Sequence, residues 1–329
     1  MTEETRTALQ PPIEGRIRLR CGRSIGFAEY GAGAGRAILW FHGTPGGRRQ
    51  IPPAARAYAA QRGVRLIALE RPGVGGSTAH LYPSIVEWAC DVEEVADRLA
   101  VDRFGLIGLS GGGPYVLACA QRLAPRVVAG AVLGGVAPSR GDEANEGGLV
   151  ALAVRFAPLL ELASEPLGGA LWGIVRSLTP VSSLIFDGFI RLMPEGDQVV
   201  FRRPEMKSMF IDDLERVSRG QLLGPVYDIV QFTRPWGFAL RDISVPIRFW
   251  HGDADNIVPL EHARRMSVLV PDAELHVRPG EGHIGNLAAA DEVIAAILSL
   301  WPPAGPSSRR RAGADVPDNG LGDTSAIEP

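Results

Sequence analysis

A chain of 329 residues, 46% of them hydrophobic, can bury a substantial core as one large domain or two small ones. Its formal net charge of −3 supplies no field that would draw it to nucleic acid. Three widely spaced cysteines, Cys21, Cys90 and Cys119, exclude a disulfide framework or a zinc pattern and read as buried thiols in a reducing compartment.

Residues 1–14 read as a flexible start. They carry Glu3 and Glu4 and lack the basic start and apolar core of a secretory leader, so a cytoplasmic location is expected. Ile17 to Cys21 and Ser24 to Tyr30 read as an antiparallel pair turning at Gly22-Arg23, with Gly31 to Gly35 as a hairpin connector. Ala37 to Phe41 and Val64 to Leu69 are short continuous apolar runs, the form of strands buried on both faces. Ala54 to Arg62 and Ser84 to Leu99 carry helical spacing. Phe104 to Leu109, Gly113 to Leu123 and Val127 to Gly135 then read as strand, helix and strand. This alternation predicts an α/β fold with a mostly parallel central sheet flanked by helices.

From Ser139 to Asp242 the alternation gives way to amphipathic helix, with apolar stripes such as Met206, Met209, Phe210 and Leu214. Residues 139–242 therefore read as a helical cap inserted late in the sheet order, between core segments 15–138 and 243–301. Gly148 to Leu178 is the most apolar region, but Arg155, Glu161, Glu165 and Arg176 interrupt it, so no integral membrane segment is expected. The α/β pattern returns with strands at Val245 to Trp250 and Glu274 to Val277 and helices at Glu261 to Leu269 and Ala288 to Trp301. Residues 302–329 are poor in core formers and are expected to be disordered, with a basic triplet at Arg309 to Arg311.

The chemistry concentrates at Gly108-Leu109-Ser110-Gly111-Gly112, directly after an apolar strand and before a helix. This is the form of a nucleophile elbow, in which small neighbours permit a turn tight enough to expose the Ser110 hydroxyl. Serine needs a base to remove its proton, usually a histidine oriented by a carboxylate. Among six histidines only His283 follows the last strand in a glycine-flanked loop. His42 opens His-Gly-Thr-Pro-Gly and shapes that loop, His251 reads as packed, His276 lies within a strand, and His80 and His262 read as exposed.

Asp255 is the preferred acid because of its spacing before Val258-Pro259, with Asp253 and Asp142 as rivals. The oxyanion requires two backbone N–H donors, assigned to Gly111 and Thr44. Glu70 to Ser77 reads as a rigid turn beneath the site, with Arg71 paired to a carboxylate. No segment fits a P-loop, a dinucleotide fingerprint or a metal cluster, so neither cofactor nor metal is expected.

His-Gly-Thr-Pro-Gly, Glu-Arg-Pro-Gly-Val-Gly-Gly-Ser, Gly-Leu-Ser-Gly-Gly, Gly-Asp-Ala-Asp-Asn-Ile-Val-Pro and Gly-Glu-Gly-His occur in the order found in the α/β-hydrolase fold superfamily, which the chain resembles over residues 15–301. The resemblance implies a serine esterase-like hydrolase of a small, largely apolar acyl substrate. Ser110 would be the nucleophile, Asp255 the acid, His283 the base, and Thr44 and Gly111 the oxyanion donors. Glu70 stands where many members carry Asp. Capped epoxide hydrolases are similar but attack with a carboxylate. Prolyl aminopeptidases are similar too, and need acidic cap residues such as Glu161, Glu165, Asp212 or Asp213 to hold an amine. Acyl transfer, carbon–carbon bond hydrolysis and non-catalytic ligand binding remain as alternatives on the same fold.

Overall fold

Strands buried on both faces need apolar side chains at every position, and the sheet is built from such runs. The computed structural model describes residues 11–145, 147–303 and 327–328. Its strands are β1 (Ile13–Arg18), β2 (Ser24–Gly31), β3 (Arg36–Phe41), β4 (Val64–Leu69), β5 (Val74–Gly75), β6 (Phe104–Leu109), β7 (Val127–Leu133), β8 (Gln221–Leu222), β9 (Ile247–Gly252), β10 (Ala273–Arg278) and β11 (Ile327–Glu328). The main sheet runs β10-β9-β7-β6-β3-β4-β2-β1-β11, parallel from β10 to β4 and antiparallel beyond. This is the α/β architecture with a mostly parallel sheet that the alternation predicts.

Helices α1 (Pro53–Gln61), α2 (Trp88–Arg98), α3 (Gly113–Arg122), α10 (Glu261–Leu269) and α11 (Ala290–Ser299) flank the sheet. Between β7 and β9 lie α4 (Gly148–Leu162), α5 (Ser164–Leu178), α6 (Ser182–Ile190), α7 (Glu195–Phe201), α8 (Pro204–Ser218) and α9 (Gly224–Phe232). Strand β8, between α8 and α9, pairs with β5 and ties this insertion to the turn after β4.

The two-residue period of β3 splits the core. Leu39 and Phe41 join one buried cluster with α2, α3 and α10, while Ile38 and Trp40 join the other with α1 and α11. Trp88 anchors the first cluster, edge-on to Phe41 at 5.8 Å and to Tyr115 at 6.2 Å between centroids.

Several expectations need correction. Strand β1 begins at Ile13, inside the stretch read as flexible, because Glu14 is held by Arg48, Arg49 and Arg216. Gly31 to Gly35 is not a hairpin connector: β2 and β3 both pair with β4, on opposite sides of it, so the segment crosses over the end of that strand. Cys119 is buried, but Cys21 and Cys90 are exposed. His262 is buried, because its Nδ1 accepts the Ala137 N–H.

Arg309 to Arg311 and most of the tail lie outside the described residues, whereas Ile327–Glu328 pairs with β1. One stretch, Ser164–Ile190, is long and apolar enough by length and composition to cross a membrane. Its charged residues, Glu165, Arg176 and Asp187, are too few to offset its leucines, isoleucines and phenylalanines in mean hydropathy.

Trp88→Ala should lower unfolding free energy by about 3–5 kcal/mol, measured by urea denaturation. A loss below about 1 kcal/mol would mean that this aromatic cluster does not anchor the sheet face.

Candidate active site

The turn after β6 places Ser110 at φ +50°, a left-handed conformation unusual for a side-chain-bearing residue. Its neighbours show why small residues are required. A Cβ on Gly108 would sit 2.6 Å from the Gly112 carbonyl oxygen, and one on Gly112 would strike the Phe41 carbonyl oxygen. Pro114 lies in the first turn of α3, where its missing N–H costs nothing.

The loops after β9 and β10 converge on this serine. His283 Nε2 lies 2.7 Å from Ser110 Oγ, and His283 Nδ1 lies 2.7 Å from Asp255 Oδ2. Asp255 Oδ1 accepts the Ile257 and Val258 N–H groups at 2.9 Å each, a local turn that aims the other oxygen at His283. His251 Nε2 adds a contact at 3.3 Å while donating to the Val258 carbonyl. Burial pushes the Asp255 carboxyl up, but hydrogen bonds from His251 and His283 outweigh it and hold the group well below the usual carboxylate range.

The rival acids lie elsewhere. Asp253 accepts the Gly280 N–H, and Asp142 is exposed.

Thr44 and Gly111 are brought together: a Cβ on Gly111 would strike Thr44 Oγ1. The Thr44 loop is held by a fully buried guanidinium. Arg71 donates to the His42 carbonyl at 2.6 Å, the Gly43 carbonyl at 3.0 Å and Thr44 Oγ1 at 3.0 Å, and pairs with Asp228 at 2.6 Å. Asp228 also accepts from Thr44 Oγ1 at 2.6 Å and from the Tyr115 hydroxyl at 2.8 Å. His42 accepts the Arg71 N–H through Nε2. Burial and the neighbouring Arg71 charge push its pKa well down, so the ring stays neutral and acts as a loop spacer.

Two more acids of the insertion fasten loops of the site. Asp213, on α8, accepts the Gly47 and Arg49 N–H groups at 2.8 and 2.9 Å. Asp197, on α7 and fully buried, accepts from Gly282, Ile284 and Gly285, the residues flanking His283. Sequence reasoning missed Asp197 and Asp228 entirely. It noted Asp213 only as an amine holder, whereas both its oxygens are taken by backbone.

Above Ser110 lies a cavity of about 510 Å³, lined mainly by Val175, Leu178, Phe186, Phe210, Leu214 and Ile284, with Asp213 in its wall. Among the described residues no group of His, Cys, Asp and Glu could hold a metal ion.

Two tests follow from this geometry. Removing one partner of the buried pair, as in Asp228→Ala, should cost about 3–5 kcal/mol of stability, since Arg71 would be left charged and unpaired. The second concerns Asp213, pushed up to about 7 by burial and by the neighbouring charges of Glu70 and Asp212, against the lowering effect of its backbone N–H donors. The folded form therefore holds this proton more tightly than the unfolded chain. The resulting stability is full below about pH 4 and is lost as pH rises toward neutrality. Chemical denaturation should show wild type losing stability relative to Asp213→Asn between about pH 4 and about pH 7. Parallel curves would refute the raised pKa.

Comparison with known proteins agrees with this architecture. A family model for the alpha/beta hydrolase fold matches residues 36–290. The chain is 28% identical over 297 residues to a non-heme haloperoxidase of Rhodococcus erythropolis, covering 85% of this chain and 96% of that protein. It is 27% identical over 276 residues to a 2-hydroxy-6-oxo-6-phenylhexa-2,4-dienoate hydrolase of Burkholderia cepacia, covering 79% and 85%. In fold it is similar to an esterase from Rhodococcus sp. ECU1013, with a TM-score of 0.63 at 22% identity over 88% of this chain and 99% of the other. The chain thus belongs to the alpha/beta hydrolase fold family and is a hydrolase of that fold.

Proposed function

We propose that this hydrolase cleaves a carboxylic ester, or a related acyl bond, of a largely apolar substrate through Ser110, His283 and Asp255. The observation that carries the reading is the unbroken run Ser110 Oγ, His283, Asp255, with 2.7 Å at each step, at the floor of an apolar cavity.

In the first half-reaction Ser110 Oγ attacks the carbonyl carbon as its proton passes to His283 Nε2. Negative charge collects on the carbonyl oxygen, where the backbone N–H groups of Thr44 and Gly111 receive it. The tetrahedral adduct collapses, the leaving alkoxide takes the proton from His283, and an acyl-Ser110 remains. Water then attacks this ester with His283 as base, releasing the acid and regenerating the hydroxyl. Asp255, kept ionised by its surroundings, fixes the imidazole tautomer and steadies the transient imidazolium. Residues 139–242 serve as the cap that supplies apolar walls and excludes water, since most of the cavity-lining side chains belong to them.

The surroundings disfavour two relatives of this chemistry. An aminopeptidase needs a free carboxylate for the substrate's amine. The only acid lining the cavity among the described residues, Asp213, is saturated by backbone N–H groups, while Asp212 is paired to Arg49 and Glu161 to Arg234. A dienoate substrate brings a carboxylate of its own, and no lysine or arginine lines the cavity to meet it.

A fluorophosphonate probe should add one phosphonyl group to wild type, read by intact mass, and none to Ser110→Ala. Asp255→Asn should lower ester turnover by on the order of 10⁴-fold, while Asp253→Asn stays within about twofold of wild type. An unlabelled but folded wild type would overturn the reading in favour of ligand binding without turnover.

A further inference from the structure

We infer that the outer helices of the insertion, α4 to α6, dock on a lipid surface and that the acyl substrate enters the cavity from that surface. The inference rests on the reading of Ser110 as acyl nucleophile and adds where its substrate comes from.

Thirteen of the sixteen exposed large apolar residues among those described lie between Phe156 and Val199, so the exposure belongs to one part of the fold rather than to the surface at large. Helices α5 and α6 are apolar on two faces. One stripe, including Val175, Leu178, Phe186 and Phe189, walls the cavity. Another, with Ile174, Val181 and Leu184, is exposed, as are Leu162 at the end of α4 and Leu192 just after α6. A helix that is apolar all round is normally enclosed by a protein core or by lipid. Exposed patches of this kind mark interaction sites.

The most apolar stretch of Ser164–Ile190 is not enclosed by the protein. Leu178, Ile185 and Phe189 both line the cavity and are exposed, so the cavity wall runs out onto this surface. That continuity decides the occupant. A second copy seated here would cover the opening, whereas a lipid surface would feed acyl chains into it. The flanking charges agree. Arg176, Arg191, Arg202 and Arg203 are exposed and have no acidic partner among the described residues; of the nearby acids Asp187 is taken by Lys207 and Glu161 by Arg234, which leaves the exposed Glu165, Glu195 and Glu205 against these four arginines. Anionic headgroups would neutralise these arginines. The fit is that of a peripheral amphipathic contact, since α7 to α9 remain bound to the catalytic loops through Asp197, Asp213 and Asp228.

The test uses the full chain and vesicles of phosphatidylcholine and phosphatidylglycerol. Leu162, Leu184 and Leu192 are 85%, 72% and 79% exposed and do not line the cavity, so Leu162→Glu, Leu184→Glu and Leu192→Glu combined should fold normally. Wild type should float with the vesicles, and the triple variant should partition at least about tenfold less. Both should hydrolyse a short soluble ester at equal rates, while the variant's rate on a long-chain ester carried in the vesicles falls about tenfold or more.

The proposal is overturned if wild type stays in the aqueous phase, or if the variant floats equally well. It is also overturned if light scattering shows a wild-type dimer that the variant dissolves while neither protein floats, since the face then belongs to a second copy. A wild type that floats but hydrolyses neither ester supports the docking while overturning the catalytic reading of Ser110.

Discussion

A single buried guanidinium holds the candidate site together. Arg71 is 1% exposed and bridges the loop after β3, the turn after β4 and helix α9, with its Cζ 4.9 Å from the Tyr115 ring centroid. A charge removed from water is tolerated only when its donors are all matched, and the pair with Asp228, together with the carbonyls of His42 and Gly43, does this. The match exists in one arrangement of the loop, so the energy of the pair is also a geometric constraint on Thr44. Tyr115 carries the constraint to α3, the helix that follows Ser110, and so couples both proposed oxyanion donors.

The insertion repeats this device. Asp197 secures the loop of His283, Asp213 the loop of Gly47 and Arg49, and Asp228 the loop of Thr44. Each is a buried carboxylate accepting two or more donors, which is costly to form and more costly to break. The inner helices α7 to α9 and the loops of the candidate site are therefore one mechanical unit. The outer helices have no buried carboxylate of this kind: α6 buries no residue and, apart from the half-exposed Asp187–Lys207 ion pair, meets the rest of the protein through apolar contacts. Apolar contacts lack direction, so this half of the insertion can meet a substrate or a surface without disturbing the site.

Much of the site was legible because its constraints are local. The elbow is a steric problem among five consecutive residues, solved by glycines at Gly108 and Gly112. Asp255 was preferred to Asp253 for its spacing before Val258-Pro259, and the structure gives that spacing a physical content, since Asp255 accepts the N–H groups of Ile257 and Val258 two and three residues on. Asp197 and Asp228 were not legible. An aspartate in a helix looks the same in sequence whether it faces water or a loop brought in from far along the chain; Asp213, for example, meets Arg49 across 164 positions. His262 was misjudged for the same reason, its partner Ala137 lying 125 positions away.

The hairpin reading of Gly31 to Gly35 failed because adjacency in sequence does not fix adjacency in a sheet, and β4 comes between the two strands it joins. By itself, then, the sequence determined what short-range sterics and periodicity govern: the parallel strands, the strained serine turn, and the loops from which Ser110, Asp255 and His283 come. Tertiary structure alone decided which acids fasten the site, that Arg71 and Asp228 close a buried pair, and that the apolar insertion has both an inner and an outer apolar face. Pairing across 85 positions or more depends on how the sheet is ordered and how the helices return over it, and no local pattern encodes that order.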